Sequence, residues 1–174
     1  MNGPRPAQSP RLAQAWAVLQ TVLDPEVPVV SVCELGIVRD VLLQGDGLQV
    51  VLTPTYSGCP ATELIESNVV AALVAAGLGP VSVTLQRAPA WTTDWISAEG
   101  RAKLRDYGIA PPGPALPDDA VVMQFMPRRK APALNCPRCG SSNTERISAF
   151  GSTACKALYR CLACKEPFEH FKPL

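Results

Sequence analysis

Apolar residues recur at Leu12, Ala15, Trp16, Leu19 and Leu23, the spacing of one helix face, so a helix is expected over Arg11–Leu23. Pro25 and Pro28 in "DPEVP" cannot continue it. The period then shortens. Ile37–Leu43 and Leu48–Thr53 read as two strands around "QGDG", with Asp46-Gly47 as the hairpin signal. Ile65, Val69, Leu73 and Ala76 return to helical spacing and mark a helix from Pro60 to Ala76. Pro60 suits its first turn and Gly77 its C-terminal end. Val81–Leu85 is a third strand, and Ser97 caps a last helix through Tyr107, closed by Gly108.

Residues 1–110 therefore predict an α+β domain, a small mixed or mostly antiparallel sheet with helices. Residues 111–134 hold six prolines and few periodic apolars, the pattern of a Pro-rich linker. From residue 135 to 174 come short β-like runs, "TERISAF", "ALYRC" and "PFEHF", with too few apolar residues for a core of their own. Something besides burial has to hold that tail.

Charge sharpens the division. The chain of 174 residues has net charge +1, so no global field steers it to nucleic acid or membrane. Residues 1–110 carry 7 Lys/Arg against 10 Asp/Glu, and residues 111–174 carry 9 against 5. The basic run "PRRKAP" at 127–132 is brief and lacks interleaved aromatics, which fits a solvated linker better than a nucleic-acid patch. "MNGPRPAQSPRLAQAW" lacks the apolar centre of a signal peptide. The longest apolar run, Val69 to Leu78, is far short of the ~18 residues of a membrane span. A cytoplasmic protein is expected, with neither membrane nor nucleic acid as partner.

Four of the seven cysteines form two C-x-x-C pairs, Cys136/Cys139 in "CPRC" and Cys161/Cys164 in "CLAC", 21 residues apart. Each turn offers two thiolates to one side of a metal, and together they close a tetrahedron that suits structural Zn²⁺. A hairpin fills the gap, as in a zinc ribbon. Four sulfurs also suit iron or an iron–sulfur cluster. Arg138, Arg146, Lys156, Arg160 and Lys165 are candidates to offset the thiolate charge. Cys155 reads as a spare small side chain and His170, the one histidine, as a half-exposed hairpin residue.

Cys59 stands apart in "LTPTYSGCP", between a strand and the helix from Pro60. Gly58 permits a sharp turn, and a helix N-cap position favours the thiolate. Free cysteine is also among the most buried residue types, so spacing alone leaves a presented thiol and a small core residue both open. Cys33, in "VSVCELG", reads as buried. No base partner at recognisable spacing accompanies Cys59, and this argues against an independent thiol enzyme.

"DPEVPVVSVCELGIVRDV" followed by "VVLTPTYSGCPA" resembles the SufT-like iron–sulfur cluster assembly domain family. The further stretches "APAWTTDWIS" and "GRAKLRDYGIAPP", with the four-cysteine tail, are similar to the PaaD family of phenylacetate-degradation proteins from about Asp24 to Lys172. The resemblance implies that Cys59 is the reactive thiol, with Asp24, Glu26, Thr53 and Thr55 around it and Gly36 in a turn. Glu34 stands where the family commonly has Asp.

The same resemblance implies a non-enzymatic accessory role in maturing the ring-1,2-phenylacetyl-CoA epoxidase, a multicomponent monooxygenase of aerobic phenylacetate catabolism. Transient iron or an iron–sulfur cluster would be the cargo, and the oxygenase and reductase subunits the partners. One thiol cannot enclose a cluster, so a homodimer or the client's own ligands would complete the site. The alternative is a non-catalytic subunit or regulator carrying only structural zinc. In "WTTDW", Trp91 and Trp95 are candidates for covering a sheet edge and for docking a partner.

Overall fold

The computed structural model describes residues 9–56, 58–113 and 134–173. Most of the expected linker at 111–134, and the basic run at 127–132, lie outside them. The chain divides into two compact units, with the boundary between Trp91 and Thr92.

In the first unit, helix α1 spans Pro10–Leu19, and Ser9 Oγ caps it by accepting the Leu12 N–H. The helix stops earlier than the apolar period suggests. The N–H groups of Thr21 and Val22 turn to the carbonyls of Val18 and Leu19, a tightened last turn. Asp24 Oδ1 then accepts the N–H groups of Glu26 (2.9 Å) and Val27 (2.8 Å). Residues 22–24 pair instead with 30–32: Leu23 bridges Ser31, Asp24 N–H donates to Val30 O and Val32 N–H to Val22 O, and this pairing, ahead of Pro25, draws the chain out of the helix. Leu23 consequently faces solvent, while Ala15, Leu19 and Val22 are buried.

Strands β1 (Val38–Gln44) and β2 (Gly47–Leu52) are antiparallel, with Gln44 opposite Gly47. The two-residue turn is thus Gly45–Asp46, with Gly45 at φ +57°, one residue earlier than the Asp46-Gly47 signal. Gly47 serves a different need. A Cβ there would lie 2.5 Å from the Pro80 carbonyl oxygen, which accepts the Leu48 N–H. The Arg11 guanidinium ties these pieces together through the carbonyls of Asp46, Leu78 and Gly79.

Helix α2 (Thr62–Ala75) crosses from β2 to β3 (Val81–Leu85), and β2 pairs with β3 in parallel. The sheet, ordered β1-β2-β3, is therefore mixed rather than mostly antiparallel. The buried face of α2 is Ile65, Val69 and Leu73, as its period predicts.

The second unit begins with a 3₁₀ turn at Thr93–Trp95 and helix α3 (Ala98–Tyr107), which has the expected Ser97 cap and Gly108 at φ +96°. Its sheet has the order β4-β7-β6-β5: β4 (Ile109–Ala110), β5 (Thr144–Ser148), β6 (Lys156–Cys161) and β7 (Pro167–Phe171). The pairing of β4 with β7 joins residues 109–110 to the tail's sheet. A two-residue strand carries no period, so sequence alone groups it with the preceding helix. Among the described residues no helix is long and apolar enough to cross a membrane.

Candidate metal centre and thiol loop

Two matching turns build the metal centre. In the first, Gly140 N–H donates to Cys136 O, and Cys136 N–H donates to Ser141 O (2.9 Å). In the second, Cys161 N–H donates to Glu166 O (3.0 Å) in the same register. Each C-x-x-C is followed by a left-handed residue, Gly140 (φ +74°) and Lys165 (φ +68°). Lysine accepts this strained conformation because the second turn repeats the first.

The sulfurs of Cys136, Cys139, Cys161 and Cys164 lie within 4.8 Å of one another. Cys136 and Cys164 sulfurs are 3.8 Å apart, and those of Cys139 and Cys161 3.5 Å. A tetrahedron with metal–sulfur bonds of about 2.3 Å has edges of about 3.8 Å, so the four thiols fit a single tetrahedral ion. Cys164 N–H, 3.4 Å from Cys161 Sγ, is the main cause that holds the Cys161 thiol down at about 6. At Cys164 the Glu166 N–H acts in the same direction. Burial and the neighbouring sulfurs together outweigh it and push that thiol up to about 12.

The surrounding apolar cluster is small: Ala110, Cys136, Ala157, Tyr159, Cys161 and Phe168, with Leu134 and Cys164 against it. Two expected counter-charges are engaged elsewhere. Lys156 is buried and pairs with Glu169 Oε2 at 2.9 Å, and Arg160 pairs with Glu145. Cys155 is buried outside the four-sulfur group, 3.0 Å from Thr153 Oγ1. His170 is buried rather than half-exposed, because β7 pairs on both sides and Tyr159 packs edge-on against its ring.

Burial pushes His170 down to about 4. The unfolded imidazole titrates near 6.5, so between these values the unfolded chain binds the extra proton. Stability contributed by the neutral ring is therefore present above about 6.5 and lost as pH falls toward 4. His170→Phe is expected to flatten that part of the profile, measured as denaturant midpoints at pH 7 and pH 5 with zinc held constant.

The second site is the loop after β2. Cys59 is partly exposed, following Gly58 at φ +84°. It does not occupy the helix N-cap. That position is Ala61, with no side-chain cap, and α2 begins at Thr62. Thr62 N–H closes a single turn onto Cys59 O (3.2 Å), and Cys59 N–H reaches Tyr56 O (3.3 Å). Pro60 biases Cys59 to an extended backbone, so the thiol stands ahead of the helix rather than on its tip. Cys33, expected to be buried, is also partly exposed; burial first, then the Glu34 carboxylate, still push its thiol up to about 12.

The acidic candidates serve turns. Asp24 is buried under the two N–H groups it accepts. Glu34 and Ser31 form a reciprocal capping box: Glu34 Oε2 accepts the Ser31 N–H (2.7 Å) and Ser31 Oγ accepts the Glu34 N–H (3.1 Å). Gly36 at φ +70° ends that turn. The Ser-x-x-Glu spacing was a legible signal for this box. Glu26 is partly exposed. Among the described residues, Cys59, Asp24 and Glu26 do not close into a ligand group as the tail thiols do.

Thr53 is buried, and among the described residues its Oγ1 has no hydrogen-bond partner. It lines a cavity of about 160 Å³ with Pro54, Thr55, Tyr56, Arg87, Ala90 and Trp91. Trp91 is buried, and its indole N–H donates to Leu35 O at 2.9 Å, so it packs as a wall and not as an exposed anchor. Trp95 is partly exposed. Trp91→Ala should lose about 3–5 kcal/mol of stability in denaturant unfolding. Trp91→Phe should lose about 1–3 kcal/mol, mainly from the orphaned Leu35 carbonyl.

Residues 123–172 match the PaaD zinc beta ribbon domain, and residues 12–85 match a family described as iron–sulfur cluster assembly protein. An Escherichia coli (strain K12) protein, named as one of the subunits of 1,2-phenylacetyl-CoA epoxidase, is 47% identical over 163 residues, covering 94% of this chain and 93% of the relative. The chain belongs to the PaaD family. An Fe-S protein maturation auxiliary factor of Porphyromonas gingivalis (strain ATCC BAA-308 / W83) is 35% identical over 89 residues, 50% of this PaaD-family chain and 84% of the relative. A Bacillus anthracis domain of unknown function, DUF59, matches with TM-score 0.51 at 27% identity, covering 54% of this chain and 91% of that one. Homology to the epoxidase component and the maturation factor supports an accessory role.

Proposed function

We propose that the protein matures the metal centres of a phenylacetyl-CoA epoxidase, passing iron or an iron–sulfur cluster through Cys59 to the oxygenase or reductase subunits. The observation that carries this reading is the partly exposed Cys59 thiol on the Gly58 turn, within a domain related to an Fe–S maturation factor. A lone thiol holds iron weakly, which suits cargo in transit; Glu26, Thr55, a second copy of the chain or the client would supply further ligands. Asp24 shapes the turn that carries Glu26, and the buried Thr53 stands where the chain leaves β2 for the loop.

In this reading Cys136, Cys139, Cys161 and Cys164 hold structural Zn²⁺. A filled tetrahedron leaves no open position, so the ribbon folds and docks while chemistry stays with the thiol loop. Trp95, partly exposed, is the remaining aromatic candidate for docking. The test is to express the epoxidase subunits with and without this chain and to measure iron in oxygenase and reductase separately. Lower iron in either subunit without the chain is the expected result; equal iron in both rejects the proposal.

The ribbon's closed donor set also favours a second reading, a stable non-catalytic subunit or regulator carrying only structural zinc. Stoichiometric co-purification with fully metallated, active enzyme would select it.

A further inference from the structure

The cavity beside the thiol loop has a chemistry that metal delivery does not use. Its wall contains one cation, Arg87, whose side chain forms no ion pair among the described residues. It also contains Thr53, whose hydroxyl is buried and without a hydrogen-bond partner among the described residues. A guanidinium lining this space, with a hydroxyl just beneath its wall that a rotation of the Thr53 side chain would expose, asks for an oxygen anion. Apart from Thr55, the other lining residues are apolar or aromatic: Pro54, Ala90, Trp91 and Tyr56. A phosphate would leave several of its oxygens against these surfaces, whereas a carboxylate on an apolar body satisfies both kinds of wall. At about 160 Å³ the space equals about five waters at the ~30 Å³ each occupies in the liquid, enough for an acid with one ring.

We propose that this cavity binds a small organic monocarboxylate, its carboxylate on Arg87 and reached by Thr53 Oγ1 once that side chain turns, its apolar body against Trp91 and Tyr56. The indole is held for this by its hydrogen bond to Leu35 O. Tyr56 O also accepts the Cys59 N–H, so a ligand seated on Tyr56 steadies the turn that carries the thiol. That coupling rests on the reading of Cys59 given above; the binding site itself does not.

Titration calorimetry on the full chain, with phenylacetate, acetate and inorganic phosphate as probes, tests the site without client or cargo metal. Phenylacetate is expected to bind at least tenfold tighter than acetate or phosphate. Arg87→Gln and Thr53→Val should each weaken it at least tenfold, with circular dichroism reporting whether either variant remains folded. A short acidic peptide that binds better than phenylacetate would mean that the anion comes from a protein, and overturns the proposal. So would undiminished phenylacetate binding by folded Arg87→Gln, or no binding by any probe. With saturating phenylacetate, alkylation of Cys59 followed by mass spectrometry should slow at least threefold in wild type and not in Arg87→Gln. An unchanged rate despite binding removes the coupling to the thiol.

Discussion

Replacing Cys136 by serine is expected to unfold the sheet of the second unit and release its metal. The apolar cluster around the four sulfurs consists of six residues, two of them cysteines, so burial supplies little of its stability. Structural zinc in comparable four-ligand sites contributes about 10–16 kcal/mol of apparent binding free energy at neutral pH, which in such modules is folding free energy. Losing one of four thiolates should lower zinc affinity by several orders of magnitude. Hydrogen exchange should show loss of protection in β5, β6 and β7, with protection retained in β1, β2, β3 and α2. Cys155→Ser is the matched control, because its sulfur lies outside the group. A Cys136→Ser protein with full zinc and an unchanged exchange pattern would remove the metal from the fold. Chelation should mimic the variant, and acid should too, since ligand thiolates must lose protons to bind.

The second large effect belongs to Cys59. Cys59→Ala is expected to reduce client iron to the level found when the chain is missing, while zinc in the ribbon stays at one per chain. Stability should change by about 0.5 kcal/mol or less, because the side chain is partly exposed. The two cysteine substitutions therefore separate the roles: one removes structure and metal together, the other removes delivery alone. Anaerobic reconstitution followed by iron and sulfide analysis provides the direct check. Equal iron in wild type and Cys59→Ala would eliminate the thiol as the carrier and leave the regulator reading.

Local chemistry made much of the architecture legible. Ser97 and Gly108 announced the two ends of α3, and Ile65, Val69 and Leu73 announced the buried face of α2, because caps and periods act within a few residues. The paired C-x-x-C turns announced the metal centre for the same reason: each brings its own two sulfurs together. Departures occurred where distant segments compete. Residues 30–32 stop α1 early by pairing with residues 22–24, and Gly47 is glycine because Pro80 passes close to it, so the turn moves to Gly45–Asp46.

By itself, then, the order of residues determined the α+β class, the helix faces and the four-thiol ribbon, and by resemblance it singled out Cys59 as a candidate. Tertiary structure alone decided that β3 runs parallel to β2, that β4 joins the tail's sheet, and that His170 and Trp91 are buried. It also brought Arg87 to the same cavity as Thr53. Periodicity records which side of an element is apolar, but not which distant element covers it. Pairing direction and cavity walls arise from segments far apart in the chain, and no short-range spacing encodes them.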